Sequence, residues 1–364
     1  MSSLRLRRRP HSPAASPLED DDLLSEILLR LPPQPSSLPR ASLVCKSWRR
    51  LVSDPQFRRR FRLRHRRNPP LLGFFDRFDG LFFHPTLDAP DRVPLGRFPL
   101  QRDDGDYFHR LTIPPVVAAR AEKIGISGAV YRAAGDVQQF QVVLAVTDGD
   151  GPKHRRALAV VYSSKTGLWG NLISTPIPDQ AHGSQFFTII TGDALLAGDS
   201  LYWALAGNLD GILEFDLEKQ SLAVIQVPDV RGRHNFKLMR AEAGGLGFLL
   251  ISDSDRCTSQ LWKRLTDCDG IASWALARTI QLNKLLSLNP EEEERIVMLG
   301  FAENNNVLLL WTVVGLFTIH LESLKFKKLF KTMQISHYHP FESVYTEVTG
   351  IGGRHGASDL MHNK

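Results

Sequence analysis

Three cysteines in 364 residues, Cys45, Cys257 and Cys268, are too few and too scattered for a disulfide framework. Their odd number and unpaired spacing fit a reducing compartment. Long apolar runs are missing as well. The longest, Val307 to Phe317, contains Thr312 and Gly315 and falls well short of the roughly 20 residues a membrane-spanning helix needs. No early segment has the apolar core of a secretory signal. The chain also lacks G-x-S-x-G, P-loop, G-x-G-x-x-G and H-E-x-x-H signatures. No cofactor or metal is expected. A soluble, non-catalytic protein of the cytoplasm, the nucleus or both is the reading these absences leave.

The formal net charge of +6 invites a nucleic-acid function, but it is unevenly spread. Arg5, Arg7, Arg8 and Arg9 form one cluster, and Arg58, Arg59, Arg60, Arg62, Arg64, Arg66 and Arg67 form a second. Together they exceed the whole surplus, so the rest of the chain is slightly acidic and no basic groove across it is indicated.

What is present begins near residue 18. Leu23, Leu24, Ile27, Leu28 and Leu31 recur at helical spacing, with Asp20 to Asp22 offering N-cap oxygens and Pro32-Pro33 a stop. Leu29 projects away from that stripe and is expected to be free for a partner. A second helical segment, capped by Ser36 or Ser37 with Pro39 in its first turn, carries Ala41, Val44, Trp48 and Leu51. Asp54-Pro55 opens a third helix with Phe57 and Phe61. Three short helices give a marginal core, so folding is expected to be coupled to docking.

Leu18, Leu23-Leu24, Glu26-Ile27-Leu28, Leu31-Pro32, Leu38, Val44-Cys45-Lys46, Trp48, Leu51 and Asp54-Pro55-Phe57 follow in order, and nearly in spacing, the pattern of the F-box family, which this segment resembles. Glu19 stands where that family commonly has proline. The stretch from Pro32 to Val44 is about two residues longer than usual and contains Pro33 and Pro35; a longer loop spares both helical stripes. The resemblance implies a subunit of a Skp–cullin–F-box ubiquitin ligase. The head would dock on a Skp-family adaptor, and through it a cullin, by Leu18, Leu23, Leu24, Ile27, Leu28, Leu31, Pro32, Leu38, Val44, Cys45, Trp48 and Leu51. The remainder would hold a protein substrate. The arginines from Arg58 to Arg67 extend the third helix. They read as a solvated surface with Phe61 and Leu63 tucked inward, the alternative being an import or nucleic-acid patch.

Beyond Asn68-Pro69-Pro70 the pattern changes to short apolar runs broken by Gly, Asp, Asn and Pro. Strand–turn–strand units recur at 157–172, 212–227, 260–276 and 316–330, each preceded by a hairpin candidate: Gln141–Thr147, Ala194–Leu205 around Gly198-Asp199, Gly247–Ser252 and Asn306–Thr312. A period of about fifty residues is that of a propeller blade and predicts about five or six blades. Leu71–Phe83 and Leu95–Leu111 would start the ring, and Phe341–Val348 would close it against an early strand. The hairpin from Tyr162 to Trp169 resembles one carried by the F-box-associated propeller of plant F-box proteins. A β-rich domain of another kind is the alternative.

The expected fold class is therefore α+β multidomain, a small helical F-box module followed by a mainly-β, propeller-like domain. The expected layout is a basic disordered leader at 1–16, the F-box module at 17–67, the substrate-recognition domain at 68–350 and a flexible tail at 351–364. A transit-peptide reading of the leader is left little length by the acidic helix start. Gly244-Gly245-Leu246-Gly247 lies between strands and reads as turn glycine. His337-Tyr338-His339 offers two metal ligands with no carboxylate or thiol nearby, and reads as an exposed loop. Glu291 to Glu294 reads as solvated. Within Val230–His234, between blades, Arg231, Arg233 and His234 are candidates for substrate contact. The competing functional reading is a nucleic-acid-binding or nuclear scaffold protein that uses the arginine clusters. A propeller enzyme acting on sugars or small molecules lacks any catalytic constellation.

Overall fold

The computed structural model describes residues 20–345 apart from 77–81, 96–97, 99–112, 116, 120–125, 133–138, 149–154, 179–188, 207–210, 229–234, 242–243, 253–256, 290–295, 333–334 and 336–337. The chain divides into two compact units, Met1–Gln101 with His337–Lys364, and Arg102–Ser336.

The first unit opens with helices α1 (Asp21–Leu28), α2 (Ser37–Ser42), α3 (Lys46–Ser53) and α4 (Pro55–His65). Asp20 caps α1, its side chain accepting from the amides of Asp22 and Leu23 at 2.9 and 3.1 Å. Asp54 caps α4 through the Phe57 amide at 2.7 Å, with Pro55 in the first turn. The segment expected as one helix from Ser36 to Leu51 is broken into α2 and α3. The amides of Leu43 and Val44 reach back only to Arg40 and Ala41, and the Ser42 hydroxyl donates to the Pro39 carbonyl at 2.6 Å. Cys45 is then extended, at φ −160° and ψ 174°, and restarts the helix. Leu24, Leu28, Leu29, Leu38, Ala41, Val52, Phe57 and Phe61 form the core of this head, with Leu31, Trp48, Leu51 and Val344 at its margin.

Strands β1 (Leu71–Asp76) and β2 (Phe82–Pro85) follow, and a late strand, β20 (Tyr338–Glu342), pairs antiparallel with β1 to give the order β2-β1-β20. The late strand does pair with an early one, but it begins at Tyr338 and not at Phe341. Phe75, Phe83, Phe98 and Phe341 form a ring cluster with centroids 4.9 to 6.1 Å apart. Gly73 sits where a Cβ would lie 2.3 Å from the His84 carbonyl oxygen, so only glycine permits this strand spacing.

The second unit is built from antiparallel meanders. The first comprises β3 (Ser127–Tyr131), β4 (Gln141–Asp148), β5 (Arg156–Ser163) and β6 (Leu168–Trp169), with β7 (Ile173–Pro176) pairing farther along β5. The next is β8 (Ile189–Ala197), β9 (Ser200–Ala206), β10 (Gly211–Asp216) and β11 (Ser221–Gln226). Then come β12 (Asn235–Arg240), β13 (Leu246–Ile251), β14 (Thr258–Thr266) and β15 (Ala272–Gln281), a short helix α5 (Leu282–Leu286), and finally β16 (Val297–Ala302), β17 (Val307–Thr312), β18 (Gly315–His320) and β19 (Phe326–Lys328). Each expected strand–turn–strand unit is a hairpin here: β5–β6, β10–β11, β14–β15 and β18–β19. Opening strands are neighbours, β8 lying against β3 and β12, and β12 against β16.

Successive sheets stack face to face, and strand alternation supplies both faces. Leu201, Trp203 and Leu205 of β9 pack with Val143, Ala145, Ala159 and Val161 of the preceding sheet. Tyr202 and Ala204, one residue out of phase, pack with Leu238, Phe248 and Leu250 of the next. Leu249 and Ile251 in turn meet Leu308, Leu310 and Phe317. This two-sided burial is why β9 and β13 are apolar along almost their whole length. Trp203 is fully buried. Trp203→Ala is expected to cost about 3–5 kcal/mol, to be measured by chemical denaturation followed by circular dichroism.

Asp76, His84 and Tyr338 meet on the β2-β1-β20 sheet. His84 Nε2 stands 3.6 Å from Asp76 Oδ2. Burial lowers the His84 pKa, against the opposing pull of Asp76, and burial also pushes Tyr338 up to about 12. With its folded value depressed, His84 is protonated first in the unfolded chain as the pH falls. Its contribution is complete above its ordinary value of about 6.5 and is lost on acidification below that. Amide protection in β1 and β20, taken relative to the intrinsic exchange rate at each pH, should fall below about pH 6.5, and His84→Gln should flatten that dependence.

Candidate functional site

Helix α1 carries two apolar arcs. The inward arc is Leu24, Ser25, Leu28 and Leu29, all buried. The outward arc is Leu23 and Ile27, one turn apart, 51% and 42% exposed. The stripe expected on one face is thus divided. Leu29, expected to be free, lies instead in the core, and the His65 ring at the end of α4 donates Nε2–H to its carbonyl at 3.0 Å.

The break between α2 and α3 adds to the outward surface. Leu43 and Val44 are 57% and 61% exposed, and Cys45 is exposed beside them. Asp21 contacts Ser47 Oγ at 3.4 Å and Arg50 Nη2 at 2.9 Å, which brings the start of α3 alongside the start of α1. The Arg50–Asp21 pair is well exposed, so it orients more than it stabilises. Leu23, Ile27, Leu43, Val44 and Cys45 therefore give this end of the head an apolar surface that the described residues leave uncovered.

The residues expected to contact an adaptor fall into four groups. Leu18 lies outside the described residues. Leu24, Leu28 and Leu38 are sealed in the head core and have no surface to offer; their role is to hold the helices, which corrects the expectation. Leu31, Trp48 and Leu51 are half-buried at the core margin, with part of each side chain accessible. Leu23, Ile27, Pro32, Val44 and Cys45 are exposed. Leu43 was not anticipated, because nothing in the hydrophobic spacing announces the break that turns it outward.

Helix α4 buries Phe57 and Phe61 and exposes most of its arginines. Arg58 Nε donates to the Val52 carbonyl at 3.0 Å, and Arg60 reaches Ser25 Oγ at 3.3 Å and Glu26 Oε1 at 2.5 Å. Leu63, expected inside with Phe61, is 58% exposed. It sits two residues beyond Phe61, and two residues on a helix turn a side chain to nearly the opposite face.

In the large domain, Arg231, Arg233 and His234 lie outside the described residues, as do Glu291 to Glu294 and His337. Tyr338 and His339 belong to β20 and not to an exposed loop, because that segment is recruited into the sheet beside β1. Among the described residues no cluster of His, Cys, Asp and Glu suited to a metal ion occurs, and no helix is long and apolar enough to cross a membrane. Gly244 adopts φ +83° in the turn joining β12 to β13, a role for turn glycine.

Residues 20–60 match the F-box domain family, and residues 106–346 match the family described as F-box protein AT5G49610-like, beta-propeller. The chain belongs to this family of plant-type F-box β-propeller proteins. No individual curated protein matches this F-box protein. Among solved structures, the WD40 domain of SCAP from fission yeast is similar at 9% identity and a TM-score of 0.30, covering 58% of this chain and 56% of that one. The extracellular domain of a one-component system from B. thetaiotaomicron is similar at 11% identity and a TM-score of 0.29, covering 71% of this chain and 36% of its own. At these scores neither likeness bears on fold or function.

The inward and outward arcs of α1 should separate in stability measurements. Leu28→Ala is expected to cost about 2–5 kcal/mol through the cavity it leaves, whereas Leu23→Ala should change stability by less than about 0.5 kcal/mol. Denaturant unfolding of the full chain, read by far-ultraviolet circular dichroism, checks both.

Proposed function

We propose that this F-box protein is a substrate-recognition subunit of a Skp–cullin–F-box ubiquitin ligase. The observation that carries the reading is the uncovered apolar surface formed by Leu23, Ile27, Leu43 and Val44 in a segment that matches the F-box family. A Skp-family adaptor covers it, with Cys45, Pro32 and the accessible parts of Leu31, Trp48 and Leu51 at the edge of the contact. Leu18, outside the described residues, is a further proposed contact. Each aliphatic side chain buried there contributes on the order of 1.5–3 kcal/mol.

The propeller binds a protein substrate, and the cullin attached to the adaptor brings the ubiquitin-charged enzyme alongside. Rate enhancement then comes from proximity, and the chain contributes no reacting group of its own. Arg231, Arg233 and His234, which fall in sequence between β11 and β12, are proposed substrate contacts.

Co-purification of the full chain with a Skp-family adaptor tests the assignment. The native chain should retain the adaptor. Leu23→Asp with Ile27→Asp should abolish retention while leaving the circular dichroism spectrum unchanged. Full retention by that double variant would refute the interface.

A further inference from the structure

We propose that the outward face of α4 is a second docking surface, for an acidic polypeptide segment with aliphatic side chains among its carboxylates. Arg59, Arg62, Leu63 and Arg66 follow one another at i, i+3, i+4 and i+7, on the face opposite Phe57 and Phe61. All four are exposed. Between Asp54 and Asp76 the sequence contains no acidic residue at all, so the helix supplies no carboxylate of its own to Arg59 or Arg66. Arg60 is held by Glu26, and Arg58 by the Val52 carbonyl. The side chains of Arg59 and Arg66 make no hydrogen bond or ion pair among the described residues.

Cations near a helix C-terminus are favoured by the helix dipole, which accounts for Arg64 and Arg66. Arg59, in the first half of the helix, gains nothing from it, and like charges one turn apart repel. External counter-charge relieves that repulsion. Guanidinium groups donate equally well to carboxylate or phosphate in two-point contacts, so charge alone leaves the partner open. Leu63 decides it. An exposed leucine ringed by Arg59, Arg62 and Arg66 matches an apolar side chain flanked by carboxylates. A phosphate backbone would satisfy the arginines and leave the leucine uncovered. The surface is distinct from the Leu23–Ile27 face and does not depend on the ligase reading.

The test uses the full chain and fluorescently labelled probes at physiological salt: a peptide alternating glutamate and leucine, a glutamate homopolymer of equal length, and a DNA duplex and an RNA strand of equal charge. The mixed peptide should bind most tightly. Arg59→Glu with Arg66→Glu should weaken it by at least about tenfold. Leu63→Ala should lower its affinity about tenfold, to the level of the homopolymer, and leave homopolymer binding unchanged. The Leu23→Asp, Ile27→Asp variant should bind it as the native chain does; loss of binding there would move the peptide to the adaptor face and overturn the proposal. Equal or tighter binding of DNA or RNA, unmoved by Leu63→Ala, assigns the surface to nucleic acid instead. Failure of every probe to bind overturns the proposal outright.

Discussion

An eight-residue helix can turn only one arc toward a small core, and α1 carries apolar residues on two. Leu24, Leu28 and Leu29 are taken by α2, α3 and α4, whose Leu38, Val52, Phe57 and Phe61 close around them. Rotating α1 to bury Leu23 and Ile27 would expose the inward set, so the head cannot satisfy both. This conflict sets the rest of the head's properties. The inward residues close on one another as a core, and the outward arc lies on a formed helix. A preformed face loses less conformational freedom on binding than a segment that must order itself.

The large domain resolves the same problem differently. Its strands also carry apolar residues on both sides, but the sheets stack, so each side finds a neighbour. Trp203 and Tyr202 are adjacent in sequence and belong to different cores. A change at either position is felt in one inter-sheet layer only, yet both layers share the β9 backbone. The outer strands are less sealed: β11, β15 and β19 alternate or are mostly exposed, as the last strand of a meander with one free edge should be.

The parts of this architecture that were legible in the sequence are those governed by local chemistry. Asp20 and Asp54 announced their helices because a carboxylate beside free amides is a local event. The hairpins were legible because turn residues such as Gly167, at φ +71°, leave few other conformations. The strand pattern from Tyr162 to Trp169 survives as a direct cross-strand pair with ring centroids 5.3 Å apart. The misreadings share one cause. Hydrophobic spacing identifies a stripe, but it does not say which edge of the stripe the core will claim. Leu29 was assigned to solvent and Leu63 to the interior, and the packing of α4 reversed both. The break at Leu43–Cys45 was hidden for a related reason, since it rests on a Ser42 hydroxyl bond and an extended cysteine that no periodicity records.

The two exposed sets on the head differ in kind, and that difference gives them separable physical behaviour. Contact through Leu23, Ile27, Leu43 and Val44 rests on removing apolar surface from water and is nearly indifferent to moderate salt. Contact through Arg59, Arg62 and Arg66 rests on charge that is screened within about 8 Å at physiological ionic strength. A partner on the first surface is therefore retained when salt is raised, while one on the second is released. Charge on an exposed helix also accelerates encounter more than it prolongs residence. An apolar patch does the reverse, since its free energy is realised only after water has left. A head that carries both can hold one partner durably and exchange another quickly, without any moving part.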